Sequence, residues 1–116
     1  MVSFKAGINL GGWISQYKVF SKTHFDTFIT ERDIAAIAES GFDHVRLPFD
    51  YQIIESDDDA GTYKEDGLLY IDRCLMWCKK HNLGLLLDMH HAPGYIFIDL
   101  KNNTLFENPD QQKRFV

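Results

Sequence analysis

Cysteine is nearly absent from this chain. Only Cys74 and Cys78 occur, so no disulfide framework holds it together. Their spacing of four, inside a helical pattern, points both at one packed face, where neighbouring turns present Cβ atoms poorly for a bridge and form no metal knuckle. They read as reduced core thiols. Basic charge is in deficit, with 12 Lys and Arg against 17 Asp and Glu and a net charge of −5. That excludes a binder of nucleic-acid phosphates, which needs a basic face, and suits a neutral substrate. No apolar run approaches the roughly 18 residues of a membrane helix, and the opening MVSFKAGINLGG lacks the basic-then-apolar layout of a secretory signal. The expectation is a cytosolic or mature secreted chain that meets neither membrane nor nucleic acid. With 45% hydrophobic and 25% charged residues over 116 positions, the composition is that of one ordinary soluble domain.

What is present is organised around residues 84–94, GLLLDMHHAPG. An apolar run passes into Asp88, Met89, His90 and His91 and stops at Pro93-Gly94. Such a run fits a parallel strand covered on both faces, and in α/β proteins ligands gather at the carboxyl ends of these strands. By the two-residue period Leu86, Asp88 and His90 share one face while Leu87, Met89 and His91 share the other. Only one of the two histidines is then expected to face a site from the strand.

Two earlier segments repeat the pattern. Residues 5–10 place Ala6, Ile8 and Leu10 on one face and Gly7 and Asn9 on the other, and residues 42–48 set Val45 and Leu47 against His44 and Arg46. Between them, residues 14–29 read as an aromatic-rich connection. Thr30 with Asp33 is a capping-box signature ahead of the helix carrying Ile34, Ile37 and Ala38, which Gly41 ends. Residues 49–67 read as a solvated loop with an Asp57–Asp59 turn, too poor in spaced oxygen ligands for calcium. Residues 68–81 form a second amphipathic helix with Leu68, Ile71, Leu75 and Cys78 on its stripe. Asn108-Pro109 starts a last helix about two turns before Val116.

The order β-α-β-α-β, with a further helix beginning, implies a parallel sheet with right-handed crossovers. Long connections on the C-terminal side of each strand match an α/β (β/α)8 TIM barrel, which needs about 250 residues. Residues 1–116 would supply three of eight strands, an incomplete barrel with unpaired edges. The chain is thus expected to be the N-terminal part of a single catalytic domain, truncated in the third helix.

The set GINLGGW at 7–13, DHVRLPFD at 43–50 and LLLDMHHAPG at 85–94 resembles glycoside hydrolase family 5, the (β/α)8 family of endoglucanases and related β-glycanases. The resemblance extends over essentially all 116 residues. It implies a cellulase-type enzyme that hydrolyses β-1,4- or mixed-linkage glucan with retention of configuration, with no metal or cofactor. It also implies two catalytic glutamates, an acid/base after the fourth strand and a nucleophile after the seventh, both expected beyond Val116. Retaining glycosidases need two such carboxyl groups about 5–5.5 Å apart, and no carboxylate here matches those motifs. The 116 residues alone are expected to be inactive, their partners being a β-glucan oligo- or polysaccharide and either the missing C-terminal barrel portion or further copies of themselves.

Within that resemblance Arg46 falls where the family has an arginine that hydrogen-bonds the nucleophile, and His90 where it has a histidine binding sugar hydroxyls. Parity is consistent, since Arg46 and His90 share the face opposite the aliphatic residues. Without the resemblance, Arg46 reads as neutralising Asp88 and His90 as an interior histidine. His44 and Asp88 are expected to form the next interior layer, meeting each other or Arg46. Substrate-binding candidates are His90, His91, Asn9, Phe20 and Tyr51, with His91 required to twist back towards the cleft. Trp13, Tyr17 and Tyr95 are further aromatics that suit a pyranose face, and Gln16 a further polar group. Two other readings stay open: a non-catalytic fragment, and a metal-dependent hydrolase built on His44, Asp88, His90 and His91.

Overall fold

The computed structural model describes residues 4–99 and 101–116. A three-stranded parallel sheet runs through it in the order β1 (Gly7–Asn9), β2 (His44–Asp50), β5 (Gly84–His91). Helices α2 (Glu31–Glu39) and α3 (Glu65–Lys80) return the chain between these strands. Val45 and Leu47 turn to the helical side and pack with Ile34, Cys74 and Cys78, all essentially excluded from solvent. Each α/β layer is therefore held by burial of branched aliphatic side chains against one helical stripe. Both thiols are free and buried. The radius of gyration is 15.2 Å, against about 13 Å for a compact domain of this length. The sheet is an open arc, with β1 and β5 as its edges among the described residues.

The local chemistry expected at the helix ends is in place. The Asp33 carboxylate accepts the Thr30 backbone N–H at 2.8 Å, and Asn108 Oδ1 accepts the N–H groups of Asp110 and Gln111 at the start of α4 (Pro109–Phe115). Asn82, at φ +57°, closes α3 in the left-handed conformation.

Three local expectations change. Residues 22–27 of the first connection form a short helix, α1 (Lys22–Thr27), capped by Ser21. The expected solvated loop after β2 holds a 3₁₀ turn (Tyr51–Ile53) and an antiparallel hairpin, β3 (Glu55–Ser56) with β4 (Asp59–Tyr63). The buried stripe of α3 is Gly67, Tyr70, Cys74 and Cys78, leaving Leu75 half exposed. Gly67 sets that rotation: a Cβ there would lie 1.8 Å from the Ile53 carbonyl oxygen, so this face of the helix sits directly on the 3₁₀ turn. No helix among the described residues is long and apolar enough to cross a membrane.

Candidate functional site

Arg46 is the hub. Its guanidinium forks, Nη1 donating to Asn9 Oδ1 at 2.7 Å and Nη2 to Asp88 Oδ2 at 2.5 Å, with His90 Nδ1 3.3 Å from Nη2. Three strands thus contribute one polar cluster on the sheet face opposite the helices. The register explains it, because parallel pairing sets Asn9 beside Arg46 and Pro48 beside Asp88. His90 Nδ1 lies closer to Asp88 Oδ2, at 3.1 Å; the tautomer with its proton on Nδ1 would donate there and leave Nε2 as the acceptor. The guanidinium and carboxylate are each about one third exposed.

His44 departs from its expected partner. It lies on the interior face, its ring filling the space a side chain at Gly7 would need, but its Nδ1 meets Asp43 Oδ1 at 2.6 Å and not Asp88. Asp88 is taken by Arg46, and the step from His44 to Asp88 spans two layers of the sheet. The four residues of the metal reading consequently fall into separate pairs, and among the described residues no group of three or more His, Cys, Asp or Glu is disposed to hold a metal.

His91 is the main surprise. The β2–β5 register slips between Phe49 and Asp50, so that Asp50 pairs with His91. This bulge shifts the side-chain phase by one residue. Both histidine rings then lie side by side, centroids 5.4 Å apart and tilted by 36°. His91 Nδ1 is 3.0 Å from Asp50 Oδ1, which also accepts the Ser15 hydroxyl at 2.6 Å. Asp50 and Ser15 are both buried. Tyr17 completes the group: burial, and then the Asp50 charge, push its phenol up to about 12. Sequence reading missed Ser15 and the pairing of Asp50 with His91. The one signal available was polar type at the end of each strand, because periodicity cannot register a bulge.

The aromatic candidates divide. Phe20 is 55% exposed, packs edge-on against Tyr17 and Phe25, and lines a depression of about 400 Å³ with Ile53, Lys64 and Tyr70. None of Arg46, His90 and His91 lines that depression. Tyr51 does not overhang a cleft. It is buried, donates to Asp57 Oδ2 at 2.7 Å and carries the Arg114 guanidinium over its ring, with burial raising its phenol to about 12. Arg114 in turn pairs with the buried Glu55 and with Asp57, so the hairpin and α4 clamp this ring between them. Trp13 is wholly buried, its Nε1 donating to the Phe25 carbonyl and its ring stacked on Trp77. Tyr95 packs edge-on with Phe106. Gln16 sits exposed at φ +56° in the loop after β1.

Comparison with known proteins gives these positions a context. Endoglucanase C of Acetivibrio thermocellus is 82% identical over 116 residues, which is 100% of this chain and 34% of that protein. Cellodextrinase A of Ruminococcus flavefaciens is 44% identical over 110 residues, 94% of this chain and 32% of that one. A crystal structure of a glycoside hydrolase superposes with a TM-score of 0.73 at 25% identity, covering 95% of this chain and 33% of its own. The chain spans about a third of the length of the curated relatives it matches, and its three parallel strands with their helices are an N-terminal portion of a (β/α)8 barrel. The family model for cellulase, glycosyl hydrolase family 5, matches residues 6–116, and the chain belongs to that family.

Proposed function

We propose that residues 1–116 are the N-terminal three β/α units of a single catalytic domain that cleaves β-1,4- or mixed-linkage glucan with retention. In this reading the segment supplies substrate-site residues, while the acid/base and nucleophile glutamates belong to later strands. The observation that carries it is the Asn9–Arg46–Asp88–His90 cluster, held at 2.5–3.3 Å across the ends of three parallel strands. Arg46 is poised there to hold a carboxylate ionised, as an adjacent cation does. His90 Nε2 is left to meet a sugar hydroxyl. The two aspartates nearest the strand ends are already engaged, Asp88 by Arg46 and Asp50 by Ser15 and His91. A retaining glycosidase needs a protonated acid and an ionised nucleophile about 5–5.5 Å apart, and in this reading those two groups are the glutamates of later strands.

The exposed apolar groups support an assembly with the rest of a barrel. Leu86 on the interior face, Leu87 on the helical face and Ile8 at the β1 edge are each more than one third exposed, an arrangement that further strands and helices would cover. The test is release of reducing sugar from soluble mixed-linkage glucan. The 116-residue chain alone is expected to release none. Its fusion to the remaining two thirds of the Acetivibrio endoglucanase C is expected to be active, and Arg46→Ala in that fusion to abolish most of the activity. Hydrolysis by the 116 residues alone would place the catalytic carboxylates among them and refute this division of labour.

A further inference from the structure

We propose that Asp50 is a positioning residue for the glucan site: it holds His91 with the proton on Nδ1, so that Nε2 is a fixed acceptor for a sugar hydroxyl beside His90. The proposal deepens the glucan reading above and rests on it. Its starting point is the slip in register between Phe49 and Asp50, which brings His91 out of the phase its strand would impose and pairs it with Asp50. Asp50 Oδ1 then accepts the Ser15 hydroxyl at 2.6 Å and faces the His91 ring, whose Nδ1 lies 3.0 Å away.

A carboxylate oxygen 3.0 Å from the ring nitrogen repels a lone pair there and favours a proton in its place. A neutral imidazole with its proton on Nδ1 carries its lone pair on Nε2. The carboxylate is itself immobile, since its backbone N–H donates to the Ile14 carbonyl at 3.0 Å and its side chain is buried between Ser15 and Tyr17. Burying a serine and an aspartate beside a part-buried histidine is costly unless the groups are paired, and a plug of aliphatic side chains would fill the same space at less cost. What the polar set adds is a defined orientation and tautomer for His91, the role that a hydrogen-bonded carboxylate plays for other functional histidines. The two neighbouring histidines then offer acceptors to adjacent hydroxyls, His90 positioned through Asp88 and His91 through Asp50.

The experiment uses the complete barrel, the fusion described above, labelled with 15N-histidine and studied at about pH 8, where an ordinary imidazole is neutral. Long-range 1H–15N correlation reads which ring nitrogen bears the proton, the His91 signals being identified by their loss in His91→Gln. Nδ1–H is expected in the wild type and in Asp50→Asn, whose Oδ1 still accepts. In Asp50→Leu the proton is expected on Nε2, the tautomer free imidazole favours, and KM for soluble glucan is expected to rise about three- to tenfold, the size of one lost hydrogen bond. The fall in kcat is expected to be smaller, and Asp50→Asn to restore KM. If Asp50→Leu does not fold, Asp50→Ser, which is too short to reach His91, makes the same reading. An active wild-type fusion with His91 protonated on Nε2, or an unchanged KM in Asp50→Leu, overturns the role of Asp50 alone. A folded wild-type fusion that shows Nδ1–H on His91 but leaves glucan intact overturns the glucan reading and the proposed hydroxyl partner with it.

Discussion

Replacing Arg46 by lysine tests whether the cluster works through geometry or through charge. The guanidinium reaches Asn9 with one nitrogen and Asp88 with the other, at 2.7 and 2.5 Å, and lies 3.3 Å from His90. A lysine keeps the charge, but its single ammonium on a narrow stem cannot hold the Asn9 and Asp88 positions as a planar fork does. One contact survives and one is lost, and the position facing a substrate or a nucleophile carboxylate is lost with it. Hydrogen bonds to charged groups contribute roughly 1.5–3 kcal/mol each. Because Arg46 and Asp88 are each about one third exposed in the isolated segment, the low end applies, about 1–1.5 kcal/mol per contact. Two contacts then amount to about 2–3 kcal/mol, or roughly 30- to 150-fold in kcat/KM. The assay is hydrolysis of soluble mixed-linkage glucan by the fusion protein, with urea denaturation run in parallel to separate folding from function. A lysine variant of wild-type stability within about threefold of wild-type activity would mean that charge alone suffices, and the argument from the fork would fail.

Gly67→Ala sets helix propensity against sterics. Alanine favours a helix by about 1 kcal/mol, but its Cβ would lie 1.8 Å from the Ile53 carbonyl oxygen, so a net loss of about 2–3 kcal/mol is expected in urea unfolding, and a gain would show that α3 does not sit on the 3₁₀ turn. Arg114→Leu leaves Glu55 buried without its cation. A loss of about 3 kcal/mol is expected, partly recovered by adding Glu55→Leu, and equal stability of all three proteins would refute the clamp. Tyr17 and Tyr51 both have phenols raised from 10.0 to about 12. A folded-state value above the unfolded one means that the native state holds its proton more tightly, so the stability these groups contribute is full below about pH 10 and is lost as pH rises towards 12. Denaturation midpoints measured across that window should fall, and the fall should shrink in Tyr17→Phe and Tyr51→Phe. A flat profile in the wild type would contradict the burial assigned to these rings.

Much of this arrangement was legible residue by residue. The alternation of Val45 and Leu47 with His44 and Arg46, and the capping residues Thr30, Asp33 and Asn108, depend on neighbours within a few positions. So does the placing of Arg46, Asp88 and His90 on one face, because a strand has a period of two and parallel register preserves it. Three features were not local. The pairing of His91 with Asp50 depends on a one-residue slip between strands 34 or more residues apart in sequence, which no periodicity within either strand encodes. The buried stripe of α3 was turned by the contact of Gly67 with the Ile53 backbone, so Leu75 lost its place to Cys74 and Tyr70. Tyr51 and Trp13 have the composition of sugar platforms and became packing elements, one clamped by Arg114 and the other buried on Trp77. Sequence by itself thus determined which residues could share a face, since that follows from bond geometry along one strand or helix. Tertiary structure decided which of them meet, because register, close backbone approach and burial are set by segments the chain brings together only on folding.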